Sequence, residues 1–375
     1  MERSVLAINA GSSTVKCALF TFAAEPRVLR RETTETTGAS RASGLLEWVD
    51  SHTGDTRLAA IGHRIVHGGA RHHESQRISP ALLDDLRGLT PFAPNHLPDE
   101  IALIDALARA RPDVPQIACF DTAFHHNLPE VARRLPIPRA YDARDVRRYG
   151  FHGLSFGFLI EELQRIAGPA AAAGKVVLAH LGNGSSLAAV RDGGSIDTSM
   201  GFTPIGGVVM STRSGDLDPG VATFIARSEG WTPDQLEDML SHRAGLLGIS
   251  GETGDMRALL DRERTDPACR MAVAIYCYQI KKYIGAFAAA LGGLDTLVFS
   301  GGIGEHAPAV RARICEGLEF LGLHLDGAAN EAGSPVISRP DAPVGVRVIP
   351  TDEELMIARA AFRVLGDESP TAAGL

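Results

Sequence analysis

Two segments of this chain share one design, about half of the 375-residue chain apart. VLAINAGSSTVKCALF (residues 5–20) and KVVLAHLGNGSSLAAV (residues 175–190) each run an apolar stretch into a Gly–Ser–Ser break and out into a second apolar stretch. Each reads as strand, tight turn, strand. Their spacing makes the chain a duplication, each half offering a glycine–serine hairpin. A third block, DTLVFSGGIGEH (residues 295–306), runs a strand-like stretch into a glycine break.

Helical segments fill the intervals. One is expected over 99–111, between Pro98 and Pro112. A second is capped by Thr232 with Pro233 at its first position and ends near Gly245. The longest opens at Asp266-Pro267 and runs to Gly292, and another spans 307–321. Thr351 and Glu354 form a T-x-x-E capping box before an apolar-periodic terminal helix. The stretch 168–174 reads as a loop, and the tail after Gly366 as frayed. Strands alternating with helices give an α/β class, and the length fits two domains.

The charge, 37 basic against 45 acidic residues for a net −8, argues against bulk binding to nucleic acid or an anionic membrane. It leaves room for a small anion held by a few placed cations. The five cysteines (Cys17, Cys119, Cys269, Cys277, Cys315) are scattered and form no CxxC, which favours a reducing compartment over a disulfide framework. No uncharged apolar stretch reaches the ~18 residues of a membrane span, and the N-terminal apolar run is too short for a signal peptide. A soluble cytoplasmic protein is expected.

The chemistry-bearing residues gather at the glycine breaks. A Gly-Ser-Ser turn is either a plain hairpin or a concavity of backbone N–H groups for phosphate oxygens. Two such turns plus GGIGE favour nucleotide phosphates, although neither a Walker A nor a Rossmann fingerprint is present. In GHRIVHGG (residues 62–69) alternation puts Arg64 on the opposite face from His63 and His67. Arg64 is an anion clamp or an ordinary ion pair; without an HExxH glutamate the two histidines do not argue for zinc. In FDTAFH, Asp121 falls at a strand's carboxyl end, where open α/β sheets bind ligands. It either holds Mg²⁺ beside nucleotide phosphates or caps the next turn. YGFHG, HLGNGSS and STRSGDLDPG add His152, His180 and Arg213. In PTDEEL, Asp352 and Glu353 stabilise a helix N-terminus, or Glu353 also holds a metal through water.

NAGSSTVK, GHRIVHGG, FDTAFH, YGFHG, HLGNGSS, MGFTP, GGIGE and PTDEEL, in this order from Asn9 to Leu355, together resemble the acetate kinase (acetokinase) family. The resemblance implies an actin-like ATPase fold, ribonuclease H-like and duplicated, with two domains around a cleft. These would be residues 1–125 plus 355–375, and residues 126–354 for nucleotide binding and dimerisation. It implies a homodimer, and the reversible conversion of ATP and acetate to ADP and acetyl phosphate with Mg²⁺, or Mn²⁺ in its place. It would set Arg64 on the substrate carboxylate, and Arg213, His180 and His152 around the moving phosphoryl group with Asp121. Asn9, Ser12 and Lys16 would lie near phosphates and metal, with Asn9, Asp121 and Glu353 toward Mg²⁺. Asn183, Gly184 and Ser185 would cradle ADP phosphates, with Asp255 and Gly301, Gly302, Ile303, Gly304 and Glu305 on the nucleotide. Val66, Asn95, His96, Phe151 and Pro204 would line the acyl site.

An ionised carboxylate needs no general base, only alignment and charge neutralisation, and the set of Arg, His and carboxylates suits that. The chain departs from the family pattern at three places. Ala-Pro-Leu-His-Asn-Pro is Ala93-Pro94-Asn95-His96-Leu97-Pro98, Gly-Gly-Glu is Gly68-Gly69-Ala70, and the histidine after FHGTS is Phe156. Two alternatives stand beside acetate: propionate or another small carboxylate as substrate, and a nucleotide switch on the same fold without acyl chemistry.

Overall fold

The computed structural model describes residues 2–11, 15–34, 40–52 and 56–366. Ser12 and the tail after Gly366 lie outside the described residues. The chain divides into two compact units. Unit 1 comprises Met1–His126, Gly153–Phe158 and Asp352–Leu375; unit 2 comprises Asn127–His152 and Leu159–Thr351.

Unit 1 holds β1 (Arg3–Ala10), β2 (Val15–Thr21), β3 (Val28–Thr34), β4 (Arg57–Ile65), β5 (Gln76–Arg77) and β6 (Gln116–Phe120), in the order β3-β2-β1-β4-β6-β5. The first three form an antiparallel meander, and β4 and β6 extend the sheet parallel to β1. Unit 2 holds β7 (Val176–Leu181), β8 (Ser185–Arg191), β9 (Gly194–Thr198), β10 (Thr296–Ser300) and β11 (Gly345–Val348), in the order β11-β10-β7-β8-β9. Here too a meander, β7-β8-β9, is extended from its first strand by two parallel strands. The two glycine–serine blocks are the β1–β2 and β7–β8 hairpins, so the duplication legible in the sequence is a duplication of sheet topology.

The apolar runs form central strands because both faces are covered. β10 is buried at every position and β7 at all but His180. In unit 2 the helix Pro267–Leu291 lays Val273, Tyr276, Ile280 and Ile284 into a core shared with Val177, Leu187 and Phe299. Asp266 caps that helix and Gly292 ends it in the left-handed region, as its sequence predicts. In unit 1 the core joins Leu6, Ile8, Leu19 and Ile61 to Leu103 and Leu107 of the helix Leu97–Ala110.

Four local expectations need correction. GGIGE is not a loop but the start of a short helix, Gly301–His306. Residues 169–173 are also helical, with Pro169 in the first turn. The segment 307–321 breaks into Pro308–Cys315 and a 3₁₀ turn, Glu319–Leu321, because Gly317 takes φ +79° between them. The expected Thr351/Glu354 capping box is replaced: Asp352 Oδ1 accepts the Leu355 N–H at 3.0 Å, and the Glu354 carboxylate turns to Asn9.

Candidate active site

In unit 1 the β1–β2 pairing sets Asn9 directly opposite Lys16. Asn9 Nδ2 donates to Glu353 Oε2 at 2.8 Å and to Glu354 Oε1 at 3.0 Å, tying the first strand to the helix Glu353–Gly366. Arg31 pairs with Asp352. One strand further in, Arg64, the residue before the last of β4, lies beside Asp121, the residue after β6. The Arg64 guanidinium donates to Asp121 Oδ2 at 2.8 Å and to the Ala10 carbonyl at 3.1 Å. The Asp121 side chain is wholly buried, and that of Arg64 is 11% exposed. The ordinary ion pair considered for Arg64 is therefore present. The Asp121 carbonyl accepts the Gly153 N–H and its carboxylate approaches the Leu154 N–H, so it meets the start of the helix Gly153–Ala167, distant in sequence, and not the next turn.

Negative charge is in surplus here. Burial acts against the Arg64 cation, but the Asp121, Glu353 and Glu100 carboxylates outweigh it and raise its pKa. Burial raises the Glu353 pKa, and the Asp121 charge raises it further, against Arg64, Asn9 and Lys16. Glu354 is raised by burial in the same way. No group of three or more His, Cys, Asp and Glu among the described residues is arranged to hold a metal by itself.

Glu100 is a member of this set that the sequence reading missed. It is 4% exposed. Its Oε2 accepts the buried Val66 N–H at 3.0 Å, and its Oε1 has no hydrogen-bond partner among the described residues. Burial is the main cause that moves its pKa up to about 7, against the Arg64 charge. In sequence it reads as a first-turn acid, yet it stands with Leu97, Ile104 and Leu107 on the buried stripe of its helix. That position is the signal that could have found it.

The histidines of GHRIVHGG are structural. His63 meets Gln116 Oε1 at 2.6 Å, and His67 Nδ1 accepts the Gly69 N–H at 2.9 Å. Burial brings both down to about 4, so both are neutral. Val66 is buried, Asn95 is exposed in the turn before Leu97, and His96 stands at that helix's N-cap. Phe156 is fully buried against Phe124 and His125, which makes this departure from the family pattern a packing residue.

Unit 2 gathers the second set at the end of β7. The rings of His152 and His180 lie 4.4 Å apart. His152 holds φ +59° and bonds Ser186 Oγ through Nδ1 at 2.8 Å. A Cβ on Gly184 would stand 3.2 Å from His152 Nε2 and 3.6 Å from an Arg213 nitrogen, so Gly184 brings backbone close to both. Arg213 donates to the carbonyl of buried Pro204 at 3.2 Å. Asn183 is exposed, and its side-chain oxygen accepts from Ser211 at 3.3 Å. The Ser185 hydroxyl is buried on the Gly182 carbonyl and the Tyr276 hydroxyl. What this turn presents outward is therefore backbone rather than the Ser185 side chain. Gly301, at φ +76°, packs against Leu181 where a Cβ would come within 2.7 Å of its carbonyl. Glu305 accepts the Gly301 N–H at 2.9 Å. Phe151 is buried, and Asp255 caps the helix Met256–Arg262.

The sequence pattern of the acetokinase family matches residues 31–359. The chain belongs to that family. It is 42% identical to an acetate kinase of Rhodopseudomonas palustris, over 97% of this chain and 99% of that protein. It is 39% identical to a propionate kinase of Citrobacter rodentium over the whole of both. Among solved structures, an acetate kinase of Porphyromonas gingivalis superposes with a TM-score of 0.86 at 34% identity, covering 97% of this chain and all of that one. A propionate kinase of Francisella tularensis gives 0.87 at 33%, covering 96% of this chain and all of that one. The fold is accordingly the duplicated actin-like ATPase fold expected from the motifs.

The Glu100 carboxyl titrates upward in the folded chain, so the folded state favours its neutral form. Its contribution to stability is full below the ordinary glutamate range of about 4.5 and is lost as pH rises toward about 7. Glu100→Gln keeps a carbonyl acceptor without the charge. Its stability relative to the parent chain should climb between pH 4.5 and 7, and by pH 8 it should be the more stable by ~2–3 kcal/mol. Urea unfolding at pH 5 and pH 8 measures this; a difference that does not grow with pH removes the buried-acid assignment.

Proposed function

We propose that the chain is a short-chain carboxylate kinase that transfers the γ-phosphoryl group of ATP to acetate, reversibly, giving ADP and acetyl phosphate. The observation that carries this reading is the Arg64 guanidinium, held by Asp121 and the Ala10 carbonyl among buried carboxylates, in a chain of the acetokinase family. A carboxylate oxygen attacks the γ-phosphorus, the bond to the ADP oxygen breaks, and that oxygen leaves with the electron pair. Acetate, with a pKa of ~4 like other carboxylates, is already ionised, so no side chain has to remove a proton. Phosphoryl transfer then needs alignment and charge stabilisation.

In this reading Arg64 binds the substrate carboxylate, with Val66, His96, Phe151 and Pro204 about the acyl group. Arg213, His180 and His152 stabilise the moving phosphoryl group. Lys16, Asn183, Gly184, Asp255 and the backbone of residues 301–305 serve the nucleotide. Asn9, Asp121 and Glu353 are the residues that would hold Mg²⁺, or Mn²⁺. The fit rests on buried Asp121 and partly buried Glu353: the Asp121 charge adds to the cost of ionising Glu353, a cost a divalent cation would lower. Such a cation neutralises phosphate oxygens.

Three further features support the expected setting. The cysteines, all five described, are buried and unbridged, as in a reducing cytoplasm. No helix among the described residues is long and apolar enough to cross a membrane. The helix Pro219–Glu229 buries none of its residues and exposes Val221 and Phe224, a face suited to a second copy in a homodimer.

A second reading, with propionate or a small hydroxy acid as substrate, is favoured by Asn95 where the family pattern has leucine. Hydroxamate trapping of acyl phosphate over a panel of short carboxylates, with ATP and Mg²⁺, tests both. No acyl phosphate from any of them would leave only a nucleotide switch.

Arg213→Ala should lower kcat by at least a hundredfold with little change in the carboxylate KM, since its charge acts mainly in the transition state; a normal kcat would remove that role. Arg64→Ala should chiefly raise the carboxylate KM, because it meets charge already present in the ground state. An unchanged KM would leave Arg64 as a structural ion pair alone. Propionate should be used with a kcat/KM within tenfold of acetate, and Asn95→Leu should shift the ratio toward acetate, one polar-for-apolar exchange being worth ~1–3 kcal/mol. Strong acetate preference in the parent chain, with no shift in the variant, would show that Asn95 takes no part in selection.

A further inference from the structure

The backbone that follows Ile65, the last residue of β4, leaves the sheet without a ladder to hold it. The last pairing bond is the Asp121 N–H on the Ile65 carbonyl. Beyond it, side chains take the amides: Glu100 takes that of Val66, Thr122 Oγ1 that of Gly68 at 3.1 Å, and His67 Nδ1 that of Gly69. The segment has no slack in which to find other acceptors. A Cβ on Gly68 would sit 2.0 Å from the His72 carbonyl oxygen and 3.1 Å from the Phe120 ring.

Glu100 differs from the other two acceptors. It reaches in from the helix Leu97–Ala110, occupies a place on a buried apolar stripe, and leaves its second oxygen buried without a partner among the described residues. A leucine there would fill the stripe with no such cost, whereas a buried acid is expensive unless its hydrogen bond matters. Its contact is with Val66, and its charge acts on Arg64.

We infer that Glu100 is a positioning residue of the carboxylate subsite: by accepting the Val66 N–H beyond the end of β4, it fixes the backbone that carries Arg64 and Val66 toward the substrate. The inference rests on the assignment of those two residues to the carboxylate. Loss of the acceptor lets Val66 shift at the end of β4, next to Arg64, and weakens binding of the carboxylate, while the nucleotide residues keep their places.

The test is steady-state kinetics of the full chain carrying Glu100→Leu, Glu100→Gln or Arg64→Ala, with acetate and ATP varied separately. Glu100→Leu should raise the acetate KM tenfold or more and leave the ATP KM within twofold. Glu100→Gln, which keeps an acceptor, should return the acetate KM to within threefold of the parent. An unchanged acetate KM in Glu100→Leu overturns the inference, as do equal rises in both KM values or a Gln variant no better than Leu. Should Glu100→Leu not fold, Glu100→Asp, which draws the acceptor back by one methylene, should show the same tenfold rise, and an unchanged KM there is equally decisive against it. An unchanged acetate KM in Arg64→Ala overturns the subsite assignment and the inference together. A raised KM in Arg64→Ala beside an unchanged one in Glu100→Leu overturns the inference alone.

Discussion

The Arg64–Asp121 pair is the contact around which unit 1 arranges its polar residues. It joins the ends of β4 and β6, and through the Ala10 carbonyl it also reaches the end of β1. A buried ion pair on its own is a poor stabiliser, because desolvation offsets most of the attraction. Here the imbalance goes further: one guanidinium faces Asp121, Glu353 and Glu100. A local excess of buried negative charge is costly for the isolated fold and is relieved by protons or cations. A divalent cation brought next to such carboxylates would lower that cost.

The topology was legible because it is written in long-range, repeated features. The two glycine–serine hairpins, the all-apolar central strands and the capped 267–291 helix depend on local chemistry that the fold does not override. What was not legible turns on tertiary neighbours. The Thr351/Glu354 box failed because Glu354 has a better partner in Asn9, more than three hundred residues away in sequence. GGIGE reads as a break by glycine content, yet the left-handed Gly301 against Leu181 lets a short helix begin there. Phe156 looked like a lost functional histidine until its packing on Phe124 and His125 was visible. Glu100 was hidden because an acid in a first helical turn has an ordinary explanation in the helix dipole; only its burial shows otherwise. The placement of Asp121 at a strand's carboxyl end was legible, since an apolar run directly precedes it.

The duplication is topological and not chemical. The corresponding strand ends carry opposite endowments. Unit 1 places carboxylates and one arginine there, in a buried setting. Unit 2 places glycines, two imidazoles tilted against each other and Arg213 beside partly exposed backbone. The same strand order thus carries a carboxylate-rich set of side chains in unit 1 and a set of glycines, imidazoles and an arginine in unit 2.

The way the chain is threaded has a consequence for synthesis on the ribosome. Unit 2 is almost continuous in sequence, but unit 1 is closed by a helix that arrives more than half the chain after its sheet is made. That helix covers the sheet where Gly62 leaves no room for a side chain beneath Ile357, and it brings Glu353 and Glu354 to Asn9. Domains usually form in the order they emerge. Here the first sheet to be translated is the last to be completed, so its apolar face stays uncovered while unit 2 is being made, and a nascent chain is open to chaperone capture for that whole interval. The carboxylate cluster is completed in the same final step, so a chain truncated before Asp352 would keep unit 2 and lack the Glu353 and Glu354 carboxylates that meet Asn9.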